Sequence, residues 1–310
     1  MMINTLSANT RGGLFMCFSM AGFAVEDMLI KAAAQSVSLG VLLMLFGVGG
    51  MVLFSLLAWM KGERVFNAAY FSKGQWVRSS FELVGRLFFA LAITLSPLSS
   101  ASAILQATPL VVVLGGVLFL GEQVRWQHWL AMAAGFVGVL LIVRPGLDSF
   151  TVVSLFAVIS TIGFAGRDLA TRAAPPSLSN FQLGINGFAV LVLSGLVLQF
   201  GFPEQSEQAL PVGASFGLTL SQGLLVAAIV VSGVLGYNCL TKAMRTGEVA
   251  MVTPFRYTRL LFAIILGVVV FNERPDALTL LGGAIIVASG VLILWKGNTW
   301  KGAAVASPVE

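Results

Sequence analysis

Long apolar runs alternate along this chain with short polar connectors. Ten such runs occupy roughly 12–33, 39–60, 78–96, 98–120, 126–144, 151–172, 181–200, 218–242, 249–271 and 277–295. A helix needs about 20 apolar residues to span the hydrocarbon of a bilayer, and each run is close to that length. Within the runs the apolar residues are continuous rather than alternating. They therefore predict helices and speak against the short alternating strands of an outer-membrane barrel.

The pattern also repeats itself. Leu14 to Ala33 and Leu155 to Ala174 match at nine of twenty positions without a gap, at a separation of 141 residues. The shared residues include Gly22/Gly163, Phe23/Phe164, Ala24/Ala165 and Asp27/Asp168, and Lys31 stands opposite Arg172. The chain thus reads as two copies, residues 1–150 and 151–310, with five helices in each. An odd number of crossings sends the second copy into the membrane from the opposite side. The expected fold is all-α, ten transmembrane helices in two inverted five-helix repeats, an architecture used by transporters.

Composition fixes the solvent. Hydrophobic residues make up 57% of the chain and charged ones 10%, with a mean hydropathy of +0.94, so most of the surface is expected to face lipid. With the N-terminus inside, Arg11, Lys61, Arg64, Lys73, Arg78, Arg125, Arg172, Lys242, Arg245, Lys296 and Lys301 fall on the cytoplasmic side, against Lys31, Arg144 and Arg274 outside. That bias places both termini in the cytoplasm, and the six tryptophans near helix ends fit as interfacial anchors. The basic balance then reports topology rather than nucleic-acid binding.

What is missing narrows the chemistry. No phosphate-binding GxxxxGK[ST] loop, HExxH or GxSxG string occurs, and no nucleophile stands beside a base, so neither ATP-driven transport nor enzyme activity is expected. The first run meets Ala32-Ala33-Ala34, but Glu26, Asp27 and Lys31 interrupt it, so it reads as a retained helix rather than a signal peptide. Cys17 and Cys239 read as packing residues, with no metal spacing and no cofactor implied. His128, between Trp126 and Trp129, reads as an interfacial polar residue.

Charges inside the runs are the candidate chemistry. A charge facing lipid at mid-bilayer costs about 2.5 to 3.5 kcal/mol on insertion scales. Glu26 and Asp27, Glu82 and Arg86, Arg167 and Asp168, and Arg256 and Arg259 are therefore expected to pair around one polar centre. Glu82 and Arg86, four apart, share a helix face. In Thr253-Pro254-Phe255-Arg256-Tyr257-Thr258-Arg259 the proline interrupts the helix beside two arginines and Tyr257, a surface suited to a planar or anionic ligand. Gln106, Pro109, Asn186, Tyr237 and Asn238 are further candidates for lining a cavity. A structural ion-pair network is the competing reading of the charges.

Ser99 to Gly146 carries a helix with a central proline ending in Gly121-Glu122, followed by an aromatic-flanked helix ending in Arg144-Pro145-Gly146. Gly247 to Trp295 repeats it, with Asn272-Glu273 for Gly121-Glu122. These segments resemble the drug/metabolite transporter superfamily, specifically its ten-helix EamA-type members. The resemblance implies a secondary transporter of a small organic metabolite, working by alternating access. Glu122 and Glu273 fall at matching helix ends and suggest gating or helix termination. The strings GFAxED, FELxGRLFFALA and TPFRYTRLLFA are also similar to a proteobacterial subgroup that includes RibN-type riboflavin transporters, which implies flavin uptake. Export of amino acids or related metabolites, and a non-transporting receptor or scaffold, stay open beside it, as do monomer and homodimer.

Overall fold

The computed structural model describes residues 6–34, 36–95, 104–144, 154–201, 219–271 and 274–301. Among them every regular element is a helix: α1 (Ala8–Ala33), α2 (Leu39–Met60), α3 (Lys73–Leu95), α4 (Thr108–Leu120), α5 (Trp126–Val143), α6 (Ser154–Arg172), α7 (Asn180–Gly201), α8 (Leu220–Thr246), α9 and α10 (Ala277–Lys301). The α9 segment runs in three pieces, Val249–Val252, a 3-10 stretch Thr253–Tyr257, and Thr258–Phe271. Six helices, α1, α2, α5, α7, α8 and α9, are long and apolar enough to cross a membrane, and α4 and residues 277–293 of α10 are apolar but shorter. The remaining two, α3 and α6, are 23 and 19 residues long and carry charges, from Lys73 to Arg86 in α3 and from Arg167 to Arg172 in α6.

Local sequence sets the ends. Ser7, Ser38 and Thr219 accept from backbone amides in the first turns of α1, α2 and α8, and Thr219 with Gln222 forms a reciprocal capping box. Gly121 ends α4 at φ 66°, a left-handed conformation that glycine adopts without steric cost.

The run expected over 98–120 differs from the structure. The described part of α4 begins at Thr108 after a turn at Gln106 and Ala107, rather than passing through Pro109 as a kinked helix. Proline lacks the N–H that would bond to the carbonyl of Leu105. That carbonyl accepts instead from the Thr108 hydroxyl.

The most extensive packing joins α1 to α8, α2 to α7, α3 to α6 and α5 to α10, while α4 lies on α6 and on the broken part of α9. Adding five to each helix number, modulo ten, maps these four pairs onto themselves. Close glycine contacts explain two equivalent crossings. A Cβ on Gly22 of α1 would lie 3.0 Å from the Cα of Gly236 in α8, and one on Gly163 of α6 would lie 2.7 Å from the Cα of Gly85 in α3.

Polarity is inside out relative to a water-soluble protein. Phe119 is 80% exposed and Val269 72%, whereas Arg78 is 1% exposed and Glu82 fully buried. His128, in the first turn of its helix, is buried against the protein, with Nε2 3.0 Å from the Met251 sulfur.

Candidate functional site

Three helices bring the charges together. On α3, Arg78, Glu82 and Arg86 recur every fourth residue and so stack on one face. Packing against it, α6 contributes adjacent Arg167 and Asp168, and α9 contributes Arg256 at its break and Arg259 one turn further.

Glu82 is the hub. Its carboxylate accepts from Arg86 at 3.2 Å and from the Tyr237 hydroxyl of α8 at 2.8 Å, and lies 3.5 Å from Arg78 and 3.8 Å from Arg167. Arg167 also grips its neighbour Asp168, with Nε and Nη2 at 2.8 and 2.7 Å from Oδ1. The other oxygen of Asp168 accepts from Arg256. The result is a continuous chain from Arg78 through Glu82, Arg167 and Asp168 to Arg256, spanning α3, α6 and α9. Breaking a buried pair by removing one partner costs about 3 to 5 kcal/mol when the other charge is stranded. Here both acids of the network, Glu82 and Asp168, have at least two donors, so the loss of one leaves another in place.

A second pair stands beside the first. Arg259 forks onto Asp27 of α1, Nε to Oδ2 at 2.8 Å and Nη2 to Oδ1 at 2.6 Å, and its guanidinium lies 5.5 Å from the centre of the Phe23 ring. This pair is partly open, with side-chain exposures of 29% and 49%. Asp27 and Asp168, equivalent positions of the repeated string, are thus both held by arginines of one helix, three residues apart.

The remaining candidates fall on different sides. Tyr237 joins the hub. Asn186 of α7 accepts from Ser79 at 2.8 Å and from Arg78 at 3.4 Å, at the edge of the same cluster. Glu26 is buried near Gly233 and Phe46, and its Oε2 has no hydrogen-bond partner. Asn238 Oδ1 is likewise buried without a partner. Tyr257 is directed elsewhere: it is fully buried between α5 and α10, against Val139 and Ile286, and is not gathered with the arginines. Gln106 and Pro109 sit at the start of α4, and Pro254 at the start of the 3-10 stretch. Glu273 lies outside the described residues.

Glu122 does something more definite than its position suggested. Oε2 accepts from the Val249 amide at the first turn of α9 at 3.1 Å, and Oε1 is 3.6 Å from Arg172 at the end of α6. A carboxylate at a helix N-terminus satisfies amides that lack intrahelical partners. It ties the end of α4 to the beginnings and ends of two other helices.

The sequence places Arg78 only among the basic residues of the cytoplasmic side, and the structure adds it to the charge cluster. It is buried, and it donates to Thr171 at 2.9 Å and to Tyr237 as well as facing Glu82. The signal that could have found it is the fourfold spacing Arg78, Glu82, Arg86.

Comparison with known proteins follows the same lines. The model of the EamA-like transporter family matches residues 10–144 and again 149–295. The S-adenosylmethionine uptake transporter of Rickettsia conorii is 27% identical over 217 residues, 68% of this chain and 69% of that one. A riboflavin transporter of Rhizobium johnstonii is 30% identical over 207 residues, 64% and 62% of the two chains. The pseudopaline exporter of Pseudomonas aeruginosa is 30% identical over 208 residues, 66% and 68%. A protein of known crystal structure superposes with a TM-score of 0.74 at 19% identity, covering 96% of this chain and 99% of that one, which shows a shared fold.

Proposed function

The chain belongs to the EamA-like transporter family, within the drug/metabolite transporter superfamily, and from that premise we propose that it is a secondary carrier of a small organic metabolite in a bacterial inner membrane. Its ten helices cross as two inverted repeats, residues 1–150 and 151–310, with both termini in the cytoplasm. The repeats rock against one another, and the substrate sits between α1, α3, α4, α6, α8 and α9.

The observation that carries this reading is the buried chain of ion pairs from Arg78 to Arg256. A purely structural network would be served by one donor for each acid. Here Glu82 has three arginines around it and Asp168 has two. Surplus donors allow partners to exchange without exposing an unpaired charge to lipid, which is what a carrier with two conformations requires. Arg256 and Arg259 release Asp168 and Asp27 to meet the substrate, and Gln106, Asn186, Tyr237 and Asn238 supply its polar contacts. Glu122 fastens the helix ends about which the halves move, and Glu273, its match in the second half, is assigned with it to gating or helix termination.

Riboflavin is the first cargo to test, since a transporter of riboflavin is among the relatives at 30% identity. Expressed in a bacterium that neither makes nor imports riboflavin, the protein is expected to restore growth on the vitamin, and Arg256→Ala to abolish it. Asp168 keeps Arg167 at 2.7 Å in that variant, so the folded protein should persist in the membrane. Absence of growth with the protein present moves the assignment to S-adenosylmethionine uptake or to metabolite export, in line with the other relatives. Normal growth of Arg256→Ala removes that residue from the site.

A further inference from the structure

Among the carboxylates of the interior, Glu26 stands apart. Asp27 is forked by Arg259, Asp168 is held by Arg167 and Arg256, and Glu82 is ringed by Arg78, Arg86 and Arg167. Glu26 is nine-tenths buried, is in no ion pair among the described residues, and its Oε2 has no donor. An ionised carboxylate so enclosed costs several kcal/mol, and a buried group in that situation neutralises instead.

Its surroundings narrow what can neutralise it. A methyl group built on Gly233 would come 3.0 Å from Glu26 Oε2 and 2.3 Å from the Phe46 ring. Glycine is therefore what leaves room for the carboxyl, and the space beside it is closed by an aromatic edge. Among the described residues no three His, Cys, Asp or Glu side chains gather to hold a metal ion. The ligand that fits such a place is a proton.

The charged groups facing Glu26 are Asp27 on its own helix, Arg86 from α3 and Arg259 from α9. From α8 it meets Gly233 and from α2 Phe46, neither of which titrates. Arg259 is occupied by Asp27. Arg86 holds Glu82 with Nη2 alone, and its Nε is buried without a partner. One guanidinium thus grips one acid and acts through its charge on another, which is bare.

We propose that Glu26 is a proton-binding site of the carrier, loaded in the conformation described here and emptied when Arg86 turns from Glu82 towards it. Water on one face of the membrane supplies the proton to Oε2, and water on the other face receives it as the carboxylate forms beside the guanidinium. Glu82 keeps Arg78, Arg167 and the Tyr237 hydroxyl during that turn, so no second acid is stranded. The direction of the proton's travel rests on the carrier reading above; its residence on Glu26 does not.

Infrared difference spectra of the full chain in liposomes, recorded while pH is raised, test this without any cargo. The wild type is expected to show the C=O stretch of a protonated carboxyl that disappears on alkalinisation. Glu26→Gln, nearly isosteric, should lack that band, and Asp27→Asn should keep it. Arg86→Gln, which removes the guanidinium proposed to turn, should move the loss of the band to higher pH. A band that survives in Glu26→Gln, no band in the wild type, or an unmoved titration in Arg86→Gln overturns the proposal. A failed riboflavin assay would leave this result standing, so the two readings fail separately.

Discussion

At Gly163 the main chains of α6 and α3 approach so closely that an added methyl carbon would lie 2.5 Å from the Gly85 amide nitrogen and 2.9 Å from the Phe81 carbonyl oxygen. Those atoms are backbone and cannot turn aside. Gly163→Ala is therefore expected to cost about 1 to 3 kcal/mol of packing strain and to push apart the helices that carry Glu82 and Asp168. Gly283→Ala is the control, because its only near neighbour is the Leu261 Cδ2 at 3.2 Å, the end of a flexible side chain. Thermal unfolding in detergent should show a lowered midpoint for the first and little change for the second. The equivalence of Gly22 and Gly163 was legible as a repeated letter, but its cause was not, since a sequence does not say which glycine faces which backbone. Buried charges were legible for a firmer reason: lipid disfavours them singly, so partners were expected, and Glu82, Asp168 and Asp27 have them while Glu26 does not. Arg78 escaped that logic because it sits in the second turn of its helix, where an arginine is equally at home reaching out to water.

At the scale of elements, α9 and α4 show what a proline does to a helix that hydropathy reads as continuous. Each run contains one proline, and in each the regular helix breaks at that point, a turn before Pro109 and a 3-10 stretch from Pro254. The apolar pattern counts side chains and is blind to a missing amide, so the runs were legible while their interruptions were only half so. The start of α10 is fixed differently. Asp276 accepts from the Thr279 amide at 2.9 Å and from Arg144 at 2.6 Å, joining the N-terminus of α10 to the end of α5. The Arg144 bond, with those from Thr279, holds its carboxyl well below the usual carboxylate range. A depressed acid contributes stability above its ordinary value, about 3.9 for aspartate, and loses it as pH falls from there towards the folded value. Asp276→Asn keeps a capping oxygen and removes the charge. Its unfolding midpoint is expected to lie slightly below that of the wild type at neutral pH and to converge with it on acidification below that ordinary value. Both partners are exposed, so added salt should shrink the difference as well. A gap that is unchanged by acid would show that the contact matters through packing and not through charge.

The whole molecule turns on whether each repeat crosses the membrane an odd number of times. The pairing of α1 with α8 and of α3 with α6 is symmetric under exchange of the two halves, and in the inverted arrangement proposed above that symmetry would have a function: what one half exposes on one face, the other would expose on the opposite face after rocking. Apolar length along the chain marks ten runs, whereas among the described residues six helices are long and apolar enough to cross, α4 and residues 277–293 of α10 are apolar but shorter, and α3 and α6 carry charges. The duplication supports five crossings in each half, since a second copy with a matching charge pattern is expected to cross as many times as the first. Topology reporters decide it. A periplasm-dependent phosphatase fused after Arg144 should be active, and a cytoplasm-dependent fluorescent protein fused at the same point dark, because α5 would end outside. The fluorescent protein fused after Glu310 should be bright. Fluorescence at both points would mean an even number of crossings per half and parallel repeats, and the exchange of ion pairs would then have to join two halves facing the same way. In that geometry Asp27 and Asp168 would lie on the same side of the membrane, so their capture by arginines only three residues apart on α9 would no longer tie opposite-facing halves to one helix.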